Sequence, residues 1–178
     1  MGDSLVVYIE RLEFLAFFAG YPLVYSIVNL MASARRGQPG TFSNRMIKLL
    51  PFAYAFTATL FLGLVLQEFA TVVSDKNIQQ SFHISYLKIW GIGAVLFWIP
   101  LLGKKPVYSL AHSLVFFFIL LEDILMGMSS VSGRDIVKND MKIYTASFLL
   151  NTISLCVIII FYYLGTKITQ SPKKNTRL

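Results

Sequence analysis

Charged residues are scarce in this sequence: Asp, Glu, Lys and Arg together supply 14% of 178 positions. A soluble domain coats its exterior with about a quarter charged residues, so the scarcity excludes that class. There is one cysteine, Cys156, set among Leu155, Val157 and Ile158. It excludes an internal disulfide and a cysteine-based metal site, and reads as a small hydrophobe. Histidines number two, His83 and His112, and no HExxH, CxxC or GxSxG pattern occurs, which leaves zinc hydrolase, dithiol and serine-elbow chemistry without a motif. Gly91 and Gly93 are no phosphate loop, because such a loop needs a strand, a turn and a helix in succession. Neither a glycosylation sequon, a lipidation signal nor an internal repeat is present. No metal and no cofactor are expected.

What the chain has in abundance is oil. Hydrophobic residues make up 56% of it and the mean hydropathy is +0.64. They fall into runs at about 12–34, 49–73, 84–102, 107–128 and 143–166. The last contains no charged residue, and at about 1.5 Å per residue a run of that length covers the roughly 30 Å of a bilayer's hydrocarbon with room to tilt. The expected fold is all-α: a polytopic transmembrane helical bundle of five spans in one integral membrane domain. The third and fourth runs are separated only by Gly103, Lys104, Lys105 and Pro106, so the region from Pro100 to Pro106 should be a tight turn and the two runs a helical hairpin. A re-entrant pair, entering and leaving on one face, is the rival arrangement. The region before Phe14 carries Glu10, Glu13 and Arg11 with no basic n-region, so the first helix is expected to stay rather than be cleaved as a signal peptide.

Basic residues test the five-span reading independently. Arg35, Arg36, Arg45 and Lys48, then Lys104 and Lys105, then Lys167, Lys173, Lys174 and Arg177 fall on one side; Arg11, Lys76, Lys88, Arg134, Lys138 and Lys142 fall on the other, interspersed with acids. By the positive-inside rule the richer side is cytoplasmic, which puts the N-terminus outside and the basic tail 167–178 in the cytoplasm, most simply of a bacterial inner membrane. The net charge of +7 thus reflects topology and anionic lipid headgroups. Nucleic acid is not expected as a partner, since no folded basic module is present.

Polar residues within the spans are the candidate functional positions, because an ionised carboxylate in hydrocarbon costs several kcal/mol unless paired, hydrated or protonated. Glu122 and Asp123 interrupt LVFFFILLEDILMGM, and Glu68 lies in the outer half of the second span. One reading pairs these acids with Lys88, Arg11 or Arg134 to orient helices. The other lines a vestibule that concentrates cations or relays protons. His112 and Asp123 share a helical face with Phe116, with Ser109 one turn below, so they define a candidate polar path that the residues between them would equally seal. Stripes of Tyr25, Asn29 and Ser33, of Tyr54, Thr57 and Glu68, and of Ser147, Asn151 and Ser154 offer helix-to-helix hydrogen bonds. Gly20 with Pro22 predicts a kink or local unwinding in the first helix. Tyr162, Tyr163 and Phe116 to Phe118 suit lipid packing and the interfacial belt.

These observations point to a non-enzymatic membrane subunit or sensor that assembles in the bilayer as a homo-oligomer or with another membrane protein subunit, enclosing a polar pathway or none. The alternative is a small cation or proton channel or transporter using Glu68, Glu122, Asp123 and His112, with Asn29 and Asn151 as further polar positions. A membrane enzyme ranks lower, since His83, Ser81, Ser85, Lys88, Glu122 and Asp123 would have to converge. A quinone or lipid pocket ranks there too.

Overall fold

The computed structural model of the protein describes residues 12–34, 42–74, 86–129 and 133–169. Helix dominates throughout: α1 over 12–18, then α2 (Tyr21–Ala34), α3 (Phe42–Ser74), α4 (Tyr86–Gly93), a 3-10 segment (Ala94–Trp98), α5 (Pro100–Gly103), α6 (Pro106–Ser129) and α7 (Gly133–Thr169). Among the described residues, four stretches are long and apolar enough to cross a membrane: Leu12–Ala34, Arg45–Thr71, Pro106–Met126 and Asn139–Ile168. The protein is therefore an all-α, multi-pass membrane bundle with four apolar spans, plus the shorter apolar stretch Tyr86–Trp98.

The expected span at 84–102 is not one helix. Pro100 has no N–H to give the helix, and its ring disfavours α geometry in the residue before it. Ile99 accordingly takes φ −71° and ψ 124°, and Pro100 opens α5. Upstream, the last turn tightens into the 3-10 segment, whose Cap residue Ile99 donates its N–H to Leu96 O. The tight turn expected between Pro100 and Pro106 lies at Lys104 and Lys105, where Lys104 N–H donates to Pro100 O at 3.1 Å and Lys105 N–H to Leu102 O at 3.2 Å. Pro106 then starts α6, at a position where a missing N–H costs nothing.

Broken as it is, this segment follows α3 for much of its length, in the opposite direction. Lys88 meets Glu68, Gly91 lies against Phe61, Trp98 donates Nε1 to Thr59 Oγ1 at 2.9 Å, Phe97 packs on Tyr54, and Gly103 sits on Phe52. From Glu68 to Phe52 is about 24 Å along a helix axis. At Gly91 a Cβ would come within 2.9 Å of the Phe18 ring and 3.0 Å of the Phe61 ring, and at Gly103 within 2.7 Å of Phe97 O. Glycine at both positions lets the segment lie close to its neighbours.

The kink expected in the first helix is present: α1 and α2 are separated by a turn at Ala19 and Gly20. Pro22 cannot donate to the carbonyl four residues back. Between the helices the interior is filled by rings. Phe18 stacks on Phe116 at 4.8 Å between centroids and meets Phe61 and Tyr54 edge-on at 5.3 and 5.6 Å, and all four side chains are fully buried. In lipid, where tails are as apolar as side chains, such close packing and interhelical hydrogen bonds hold helices together.

Candidate functional site

Among the described residues, hydrogen bonds and an ion pair gather polar side chains inside this apolar bundle into three clusters. The first is built on the break at Gly20. Its N–H donates to Ser147 Oγ at 2.8 Å, and Asn151 Nδ2 donates to Phe17 O at 2.7 Å as well as to Ser147 O at 2.8 Å. Two backbone groups freed at the turn, Gly20 N–H and Phe17 O, thus find partners among the side chains of α7, which is how unwound helix is tolerated at membrane depth. Thr57 of α3 joins the same cluster, reaching Ser154 Oγ at 3.0 Å and Asn151 Oδ1 at 3.4 Å. A Cβ on Gly20 would lie 2.3 Å from Phe148 N, so α7 contacts bare backbone there.

The second cluster joins α2, α3, α4 and α6. Tyr21 Oη and Ser109 Oγ are 2.7 Å apart, and since Ser109 donates to Pro106 O at 2.8 Å, the tyrosine hydroxyl is the donor between them. Tyr54 Oη and His112 Nδ1 form a hydrogen bond of 2.8 Å. Trp90 stacks on the imidazole, its centroid 4.7 Å away and its plane inclined by 6°, while Phe97 meets it edge-on at 5.8 Å. The third cluster is the ion pair of Lys88 with Glu68, 2.9 Å from Nζ to Oε2. Lys88 is only 1% exposed, Glu68 40%.

The candidate residues therefore separate. Glu68 and Lys88 come together as one expected pairing. Asn151 and His112 each sit in a buried cluster, but different ones. Asn29 lies on the exposed side of α2, beside exposed Leu30. Glu122 is exposed and borders an open groove of about 420 Å³ with Phe118, Leu121, Leu125 and Met126, and Asp123 is half-buried. Between His112 and Asp123 stand Phe116 and Leu120, 0% and 2% exposed, both packed into the interior. Arg11, His83, Ser81 and Ser85 lie outside the described residues, as does the side chain of Arg134.

Each cluster links side chains of different helices. Ser113 donates to Leu110 O at 2.8 Å and Ser109 to Pro106 O, so neither hydroxyl is offered to the imidazole. Among the described residues no three His, Cys, Asp or Glu side chains group as metal ligands. Trp90 and Tyr21 are the members that sequence reasoning missed. A tryptophan is ordinarily assigned to the interfacial belt, and only its pairing with His112, across 22 residues, identifies it as part of the interior. No family model, curated protein or solved structure matches this chain.

Proposed function

We propose that the protein is a non-enzymatic membrane subunit that crosses the bilayer five times, with its N-terminus outside and its C-terminus in the cytoplasm, and works by assembling with a second membrane chain along α6. The observation that carries this reading is the filled interior: Phe18, Phe61, Phe116 and Tyr54 occupy the bundle axis, and beside them Tyr21, Ser109, Thr57, Ser147 and Asn151 hydrogen-bond to one another or to backbone. The apolar spans of α1–α2 and α3 are about half buried, whereas those of α6 and α7 are mostly exposed. The open surface is thus on the last two helices, and the groove at Phe118, Leu121, Leu125 and Met126 brings a carboxylate, Glu122, to it. Polar side chains set in an apolar helix face favour a packed neighbour over lipid. Five crossings are supported by the course of 86–103 along α3 and by the side of the basic loops.

Cross-linking in native membranes tests the assembly. With Cys156→Ser as background, Leu121→Cys should yield adducts of a fixed higher mass with a short bis-maleimide, while Leu149→Cys, exposed on α7, should yield few. A monodisperse monomer in nanodiscs, with equal or no adducts at both positions, sinks the reading. Cation passage, the second reading, draws on Glu122 at the open groove: a route would run between subunits, and liposome flux that is unchanged in Glu122→Gln removes it.

A further inference from the structure

The side of the bundle where α3 begins and α7 ends is unlike the other. All nine acids of the sequence fall outside the stretches 14–67 and 141–178, and the described ones, Glu13, Glu68, Glu122, Asp123 and Asp140, lie where α1 and α7 begin and α3 and α6 end. At the opposite end Arg45, near the start of α3, and Lys167, near the end of α7, converge on one cavity of about 610 Å³ with Tyr162, Tyr163, Leu164 and Thr166. Both cations sit at the limits of their apolar spans, Arg45–Thr71 and Asn139–Ile168, which is headgroup depth. The closest acid along the chain to Arg45 is Glu68, about 35 Å away at the helical rise.

From this we infer that the cavity binds the phosphate of an anionic phospholipid of the leaflet on the basic side. Two cations from different helices and the tyrosine hydroxyls supply charge and hydrogen bonds to a phosphodiester. Leu164, 52% exposed, continues the site into the hydrocarbon, where an acyl chain would lie. A free phosphate would use the same cations and gain nothing from Leu164, so the lipid is the better occupant. The inference needs only that the bundle is embedded in a membrane, and stands apart from the assembly argued above.

Native mass spectrometry of the full chain, released from detergent doped with phosphatidylglycerol or phosphatidylcholine, tests it. The parent should retain one phosphatidylglycerol in preference to phosphatidylcholine. Arg45→Gln with Lys167→Gln should weaken that retention about thirtyfold, the effect of two basic side chains at an anionic surface. Lys104→Gln with Lys105→Gln removes the same charge from the same side at the hairpin turn and should leave it intact, and Arg45→Lys should restore most of it. Equal losses in the two double variants would mean diffuse attraction and overturn the site. Equal retention of phosphatidylcholine would do the same, as would displacement of the lipid by millimolar glycerol phosphate.

Discussion

Lys88 Nζ lies 2.9 Å from Oε2 and 3.2 Å from Oε1 of Glu68, and the pair fixes the start of the broken 86–103 segment to the far end of α3. The ammonium is buried while its partner is partly open to its surroundings. A lysine so placed is held by charged and hydrogen-bonded neighbours or it is not tolerated. The pair also sets the depth from which the segment runs down α3 toward Phe52.

Neutralising one partner should therefore destabilise the bundle measurably. Glu68→Gln is expected to cost about 1 to 2 kcal/mol, less than a fully buried pair because Glu68 is 40% exposed. Lys88→Met should cost a similar amount, and the double variant should recover part of the sum. Unfolding of the parent and the three variants in mixed micelles gives the cycle; single effects that add to within about 0.5 kcal/mol would show that the two side chains do not support each other.

The turn at Gly20 makes a sharper demand. A Cβ there meets Phe148 N at 2.3 Å and Ser147 C at 2.5 Å, both backbone atoms that cannot swing away. Gly20→Ala should cost more than about 3 kcal/mol or prevent folding, since α7 must move bodily to make room. Ser147→Ala leaves the space unchanged and removes only the acceptor of the Gly20 N–H, for a loss of about 1 to 2 kcal/mol. Comparable effects of the two substitutions would contradict the close approach of backbone to backbone.

Much of this arrangement is legible in the residues themselves. Long uncharged runs give the spans, Gly20 with Pro22 gives the break, and Ser147, Asn151 and Ser154 give the face of α7 that meets it. The same spacing rule misleads for Tyr25, Asn29 and Ser33: periodicity says that residues share a face, not what the face meets, and beyond the break α2 turns Asn29 outward. The division of 84–102 depends on how Pro100 acts on Ile99, within a segment whose apolar composition alone suits one continuous helix. Trp90 and His112 meet only because α4 and α6 flank α3, a tertiary fact with no local signature.

That meeting can be read by fluorescence. There are two tryptophans, so Trp98→Phe isolates Trp90, at the loss of one hydrogen bond to Thr59. In that background His112→Ala should alter the intensity and position of Trp90 emission and cost about 2 to 3 kcal/mol, as removal of a half-buried ring does. Tyr54→Phe, which keeps the rings and loses only the bond to Nδ1, should leave the emission unchanged and cost about 0.6 kcal/mol, typical of a polar contact between membrane helices. An emission change as large in Tyr54→Phe would mean that the hydrogen bond, and not the stack, holds the imidazole in place.

The course of 86–103 yields the decisive test of topology. Tyr86, 72% exposed, stands at its beginning near Glu68, and Lys104, also exposed, at its end beyond Phe52. If the segment crosses the bilayer these two positions lie in different compartments; if it re-enters they share one. With the exposed Cys156 replaced by serine, Tyr86→Cys should react with a membrane-impermeant maleimide on intact cells and Lys104→Cys only after permeabilisation. Reaction of both from one side would mean that 86–103 alone turns back, leaving four crossings and both chain ends in one compartment, whereas a re-entrant pair of 86–103 and α6 would leave three crossings and the ends on opposite sides. Reaction of Lys104→Cys alone on intact cells would keep five crossings and invert them, placing the acid-free, lysine- and arginine-rich end outside, against the charge bias that governs insertion.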